Sequence, residues 1–160
     1  MVVDEELVCY TIALLMADVK WTRSGEATPD THQFVTMSRR VKLFSDVSSA
    51  EQPACFQAEH ITLEEQKTSM PYKSTMELWW IIYQNVGTDP NALGAVENNL
   101  ILRGVRRALA PKPDDPGFHD KRNTLGGLVH HCFIGGRIFK DPGDIDAQGM
   151  IALPIKVLVP

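Results

Sequence analysis

Cysteine is scarce in this sequence, and long apolar runs are missing. Cys9, Cys55 and Cys132 are odd in number and widely scattered, so they predict neither a disulfide framework nor a zinc knuckle. Apolar runs such as residues 78–83 are far shorter than the roughly 20 residues of a membrane span. The sequence therefore predicts reduced thiols, no transmembrane helix and no membrane partner.

A basic excess is also missing. The 16 Lys and Arg are outnumbered by 20 Asp and Glu, which gives a formal net charge of -4 at pH 7. Proteins that bind nucleic acid through bulk electrostatics need positive charge to displace phosphate counterions, so no specific nucleic-acid partner is predicted. Acidic residues (Asp4, Glu5 and Glu6) stand where a secretory signal would carry Lys or Arg. This start predicts a chain that is made and folded in a cytoplasm.

The motifs of common cofactor enzymes are absent from the sequence. It contains no phosphate-binding loop, dinucleotide fingerprint, metalloprotease helix or nucleophile elbow. We therefore predict a protein that is not an enzyme and that needs no cofactor or metal. Its composition is that of an ordinary globular protein, with 44% hydrophobic and 22% charged residues, and its length suits one domain over 1–160.

Two amphipathic helices are predicted from apolar residues at helical spacing. The first runs from Asp4 to about Lys20, with acidic residues at the end where the helix dipole favours negative charge. The second begins near Asp89, which can cap it, and Pro90 suits its first position. It ends at Leu109, before a run of prolines. The stripes predicted to face the core are Val8, Ile12, Leu15 and Val19 in the first helix, and Leu93, Val96, Leu100, Ile101, Val105 and Ala108 in the second.

Alternating apolar residues and turn residues predict five strands. The clearest is 74–85, where Met76, Leu78, Trp80 and Ile82 share one face. Its second half is apolar on both faces, which indicates a central strand or one that a partner covers. The other four strands are predicted at 34–47, 54–60, 128–139 and 151–159.

Two sequence features predict irregular points in these strands. Gly135 and Gly136 indicate a bulge or a close backbone approach within 128–139. Pro154 cannot donate to a strand ladder, so the last strand is expected to lie at an edge or to bulge there. Residues 61–71 are predicted to be a polar hairpin connection or a longer loop. Long loops are expected near 21–33 and 110–124.

The element order α-β-β-β-α-β-β predicts the fold class. It indicates an α+β domain with a mixed, mainly antiparallel sheet of about five strands and both helices on one face.

Residues 130–132 invite a catalytic hypothesis. His130 and His131 are adjacent on a predicted strand, so they would point to opposite faces and could not share one metal ion. The same alternation puts Cys132 on the face of His130, which leaves a small enzyme using this pair as an alternative. The sequence offers no third group to orient the pair, so a buried thiol is the favoured interpretation.

A second alternative is a nucleic-acid contact. Arg39, Arg40 and Lys42 could touch phosphates, and Trp79 and Trp80 could stack on bases. The favoured interpretation is a solvated strand face for the basic residues and a core or subunit interface for the two tryptophans. Gly126 and Gly127 could form an anion-binding nest, or could simply let the backbone turn into the sheet.

Two segments carry a resemblance to a known family. Residues 37–59 read MSRRVKLFSDVSSAEQPACFQAE, and residues 124–136 read TLGGLVHHCFIGG. Joined by the strand at 76–83 and a helix that ends in ALAP, they resemble the tail-terminator-like proteins of tailed phages and prophages. The resemblance extends from about Phe34 to Val159. One departure is Phe44 before Ser45 and Asp46, where the family pattern has a tryptophan.

The resemblance implies a structural virion protein of the tail and neck, assembled in the host cytoplasm. It implies a homo-oligomeric ring, six-fold, that caps the head-proximal end of the tail tube and stops its polymerisation. The opposite surface would meet a head-side neck, connector or stopper protein, and DNA would pass through the ring. Another head–tail joining or tail-completion protein is the alternative from the same particle. The candidate assembly residues are Arg39, Arg40, Lys42, Asp46, Trp79, Asp114 and Asp115, with the basic stretch and the acidic loop as complementary rim elements.

Overall fold

The computed structural model describes residues 4–66, 68–69, 73–87 and 93–159. In these ranges the chain forms two α-helices and six strands. The helices are α1 (Glu5–Leu14) and α2 (Gly94–Leu109). The strands are β1 (Thr36–Ser38), β2 (Ala54–Glu65), β3 (Lys73–Asn85), β4 (His131–Ile134), β5 (Phe139–Asp141) and β6 (Gln148–Val159).

All six strands form one sheet. Its order is β1-β2-β3-β6-β4, and β5 pairs with β6 beside β4. Strands β1 and β2 are parallel, and the other pairs are antiparallel. The predicted α+β class, with a mixed and mainly antiparallel sheet, is confirmed.

Both helices pack on the same face of the sheet, which we call the inner face. Alternate residues of β3 face the core, as predicted, and the same is true of β6. Burial of these apolar surfaces is the main favourable contribution to folding. The buried residues of this core include Val8, Ile12 and Met16 from the first helical segment, Ile101, Leu102 and Val105 from α2, Met76, Leu78, Trp80 and Ile82 from β3, and Ile151, Leu153, Ile155 and Val157 from β6.

The first helix begins as predicted and ends early. The Asp4 carboxylate accepts a hydrogen bond from the Leu7 amide at 3.0 Å and caps α1. The α-helix stops at Leu14, and a 3-10 turn (Leu15–Asp18) follows instead of further α-helix up to Lys20. Val19 is extended, and both Val19 and Trp21 are buried in the core. The predicted start of α2 at Asp89 and Pro90 lies outside the described residues.

The strand predicted over 34–47 is wrong for most of its length. Only Thr36–Ser38 pairs, and it runs parallel to β2. Phe44–Asp46 is a 3-10 turn, and the Phe44 ring packs edge-on against Tyr83 with centroids 5.0 Å apart. The Tyr83 hydroxyl also donates to the Lys42 carbonyl at 2.8 Å. These tertiary contacts override the local alternation.

Two other predicted boundaries are corrected. Strand β2 continues through Glu65, past a bulge between Glu59 and Ile61, so 61–65 is strand and not a loop. The strand predicted over 128–139 is two short strands, β4 and β5, with a break that contains Gly135 and Gly136. The φ of +130° at Gly136 favours glycine and permits the chain to leave one strand and enter the next.

Strand β6 is interior, although Pro154 predicted an edge or a bulge. It pairs with β3 along Gln148–Val159 and with β4 and β5 on its other side. On that second side β4 reaches Ile155 and β5 reaches Ala152, so Pro154 lies in the gap between them. A residue without an N–H is tolerated there because no ladder partner is lost.

Gly104 lies at a close contact in the middle of α2. A Cβ at this position would be 2.5 Å from the Lys20 carbonyl oxygen. We therefore expect Gly104→Ala to lower the free energy of unfolding by about 1–3 kcal/mol, as overpacking does. Helix propensity alone would change it in the opposite direction by up to about 1 kcal/mol. Urea denaturation monitored by circular dichroism measures the change.

The matched control is Ala95→Gly, which makes the reverse change at an exposed site of the same helix. It should cost no more than about 1 kcal/mol, from backbone entropy alone. A Gly104→Ala protein that is more stable than the wild type would show that the contact with Lys20 is not limiting.

Candidate assembly surfaces

Arg39 connects α1 to β2. Its guanidinium contacts Glu6 at 2.5 and 3.0 Å, and its Nε donates to Glu59 at 2.9 Å. Because Glu6 and Glu59 both accept its hydrogen bonds, the pKa of Arg39 is raised above its ordinary value. The hydrogen bond from Arg39 lowers the pKa of Glu6. The charge of Arg39 is thus neutralised within the subunit, and its assembly role stays a prediction.

Asp115 requires a correction, because it is buried and not a free charge on an acidic rim. Its carboxylate accepts hydrogen bonds from the Gly117 amide at 2.7 Å and from the Gly126 amide at 3.3 Å. It also accepts from the Thr124 amide at 3.0 Å and from the Thr124 hydroxyl at 2.6 Å. Of the two amides predicted to bind an anion, the Gly126 amide binds the Asp115 carboxylate, and the Gly127 amide instead donates to Thr124. This carboxylate therefore holds the predicted long loop in place.

Four other predicted assembly residues are exposed: Arg40, Lys42, Asp46 and Asp114. Lys42 and Asp46 belong to the irregular segment before β2, and Asp114 belongs to the loop after α2. The structure does not gather these four side chains into one cluster. Their role as assembly contacts stays a prediction.

Trp79 lies on the face of the sheet opposite the helices, which we call the outer face. It stands between Ala58 of β2 and Pro154 of β6 in the strand register. Its indole Nε1 donates to Glu77 at 3.1 Å, and the side chain is half-buried. A half-buried tryptophan on an open sheet face is suited to a protein interface.

His130 and Cys132 are not arranged as the catalytic alternative requires. His130 precedes β4, is exposed, and has its Nδ1 3.3 Å from the Arg122 guanidinium. Cys132 is fully buried, and burial raises the pKa of its thiol to about 12. Such a thiol is protonated at neutral pH and is a weak nucleophile. In the described parts of the chain, His, Cys, Asp and Glu also form no group that could hold a metal ion.

The outer face is covered at one end. There Phe44 and Val47 pack on Phe56 and Tyr83 and form a small second core. Toward the other end, none of the described helices lies over the sheet. This part of the outer face carries Leu63, Thr75, Leu158 and His131 in one row across the strands, and Ile61, Glu77, Lys156 and Phe133 in the next.

Several exposed apolar residues were missed by the sequence predictions. Ile61 is 58% exposed and Leu63 is 51% exposed, both on the extended end of β2, and Phe139 of β5 is 57% exposed. Residues 61–65 alternate between apolar and polar residues, which is the signal that could have predicted strand there. Exposed apolar residues grouped on one face commonly mark interaction sites.

No protein-family model matches this sequence, and no curated protein matches it significantly. Neither described helix is long and apolar enough to cross a membrane.

Proposed function

We propose that the chain is a tail-terminator subunit of a tailed phage or prophage. Copies of it would close into a six-fold ring on the last ring of the tail tube and stop tube growth. The free side of the ring would then receive a head-side neck or stopper protein, and DNA would pass through its centre. In this role the protein binds partners and catalyses no reaction.

The observation that carries this proposal is the open part of the outer face. Ile61 and Leu63 are more than half exposed, and Trp79, Phe133 and Leu158 are each incompletely buried on the same face. Exposure of these apolar side chains to water is unfavourable, and a neighbouring molecule that covers the face removes this unfavourable contribution. Repeated contacts between copies can cover it without a symmetric patch, because a head-to-tail contact that closes gives a ring.

The positions of the two family-like segments also support the proposal. Residues 37–59 include the end of β1, the turn that covers part of the outer face, and the start of β2. Residues 124–136 include the turn bound by Asp115 and the whole of β4. The two segments lie at opposite edges of the sheet, with β3 and β6 between them. Positions at opposite edges of the sheet are compatible with contacts to two different neighbours in a ring.

Disruption of the gene in the phage or prophage that carries it tests the proposal. We expect tails of irregular and excessive length without heads, because nothing would stop tube polymerisation. Electron microscopy measures the tail lengths, and a plasmid copy of the wild-type gene should restore them. Tails of normal length joined to heads would contradict the proposal.

A third outcome separates the terminator from another neck component. Tails of normal length that fail to join heads would support a head–tail joining role instead. Purified protein should bind to isolated tail-tube ends if it is a terminator, and to DNA-filled heads if it is a joining protein. Negative-stain microscopy of each mixture distinguishes the two.

A further inference from the structure

Two clusters of charged side chains lie on different sides of the subunit, although the net charge of -4 does not show them. One side, which we call the acidic flank, consists of the first turn of α1 and the C-terminal half of β2. Glu5 of the helix accepts a hydrogen bond from Thr62 of the strand at 3.2 Å, so the two elements lie side by side. The carboxylates of this flank are Asp4, Glu5, Glu6, Glu59, Glu64 and Glu65; Arg39 binds Glu6 and Glu59, and Lys73 is in register with Glu65.

The opposite side, which we call the basic flank, consists of α2 and the region of β5. Lys140 of β5 donates to Asn99 of α2 at 3.1 Å, so these elements also lie side by side. Arg103 and Arg106 follow Asn99 at helical spacing and share its stripe. With Lys140 and Arg137 they give four exposed cations. The carboxylates near these cations along the chain are Glu97 in the first turn of α2, Asp141, which accepts a hydrogen bond from the Gly143 amide, and Asp144 and Asp146 in the turn after β5.

The two flanks lie at opposite edges of the sheet. Strand β2 is separated from β5 by β3 and β6, which corresponds to about 14 Å at the usual strand spacing. The residues of β2 from Glu59 onward lie across the sheet from β4, so the two flanks also lie at opposite ends of the strands. Beyond the three residues paired with β1, β2 pairs only with β3 among the described strands. Each flank also has an apolar part: Ile61 and Leu63 on the acidic side, and Phe139 on the basic side.

We propose that copies of this chain associate head to tail, with the acidic flank of one copy against the basic flank of the next. This inference rests on the proposed ring function and names its contact surfaces. Opposite charges would fix the register and direction of assembly. Exposed apolar residues at the centre would contribute more of the affinity. A contact between two different surfaces is the kind that repeats and can close into a ring.

Two charge-reversal variants test the contact. Glu64→Lys/Glu65→Lys reverses two of the six carboxylates of the acidic flank and leaves those bound by Arg39 unchanged. Arg103→Glu/Arg137→Glu reverses two of the four cations of the basic flank and leaves Lys140 with Asn99. Sedimentation velocity at several protein concentrations, in low and high salt, measures association. We expect wild-type association that weakens with salt, and at least about tenfold weaker association for each variant alone.

Mixing the two variants gives the sharpest result. The first variant keeps its basic flank and the second keeps its acidic flank, so these two intact flanks can still meet. We expect an equimolar mixture to form pairs that contain one copy of each variant, and no larger assemblies. The control is Asp18→Lys/Asp120→Lys, which makes the same change in net charge as the first variant at exposed sites outside both flanks and should associate like the wild type.

Several outcomes would overturn the contact: a wild type that stays monomeric in low salt, variants that associate normally, a mixture that recovers nothing, or a control that fails to associate. Circular dichroism checks that each variant folds. The result is separable from the test of tail length. Overlong tails after gene disruption, with variants that still associate, would contradict the flank contact alone. Flank-dependent association with unchanged tails would contradict the terminator role alone.

Discussion

Asp115→Ala is expected to lower the free energy of unfolding by about 3 kcal/mol. Each hydrogen bond to a charged group contributes about 1.5–3 kcal/mol net, but some of the donors that lose Asp115 will bind water instead, which limits the loss. The substitution removes the shared acceptor of the Gly117, Thr124 and Gly126 amides and of the Thr124 hydroxyl. Urea denaturation at pH 7 measures the loss. The neighbouring Asp114→Ala is the control, since Asp114 is exposed. It should change stability by less than about 0.5 kcal/mol.

The effect of Asp115→Ala should depend on pH. Burial alone would raise the pKa of Asp115, but the hydrogen bonds from Thr124, Gly117 and Gly126 outweigh it and hold the pKa below its usual value. A carboxyl with a lower pKa in the folded state stabilises fully above its unfolded pKa, near 3.9, and loses this contribution as pH falls through the folded value. The difference between wild type and Asp115→Ala should therefore shrink below about pH 4. A difference that grows on acidification would contradict this assignment.

Gln57→Leu is expected to lower the free energy of unfolding by about 2–3 kcal/mol. Leucine has a similar volume, but it cannot form hydrogen bonds with the buried polar groups that Gln57 contacts. Gln57 is fully buried on the inner face. Its Nε2 donates to the Cys9 carbonyl at 2.9 Å, and its Oε1 accepts from the Trp80 indole at 3.1 Å. The amide thus joins α1, β2 and β3 at one point. Thermal and urea denaturation both measure the change.

A double-mutant cycle with Trp80→Phe tests the cause of that loss. Phenylalanine removes the indole N–H, so Gln57→Leu should cost at least about 1 kcal/mol less in the Trp80→Phe background. Gln33→Leu, at an exposed site, should be nearly neutral. If Gln57→Leu costs the same in both backgrounds, the hydrogen bond to Trp80 is not the source of the effect.

The two long central strands and most of each helical stripe were predictable from the sequence, but Leu93 and Val96, which were predicted to face the core, are exposed. The periodicity of the strands and stripes is local: β3 buries Met76, Leu78, Trp80 and Ile82 as its alternation predicts. The predicted strand over 34–47 failed because Phe44 and the Lys42 carbonyl contact Tyr83, about 40 residues away along the chain. No local pattern contains that information. The extension of β2 to Glu65 was missed because its second half is exposed and polar at most positions.

The candidate assembly residues were less predictable, for an electrostatic reason. A charged residue acts as a free surface charge only if no partner neutralises it, and the partners are distant in sequence. Arg39 binds Glu6, 33 residues away. Thr124 binds Asp115, and this contact closes the loop between the two residues. The sequence identified Arg39 and Asp115 as charges, whereas the structure shows that each is already bound within the subunit.

The sequence by itself determined the α+β class, most of the two helical stripes and the faces of the central strands, because these depend on spacings of a few residues. The tertiary structure alone decided which charges are satisfied and which apolar residues remain exposed. It also decided that acidic and basic side chains lie on opposite flanks, since α1 packs beside β2 and α2 packs beside β5. Element packing sets those positions, and a net charge summed over the chain carries no record of them.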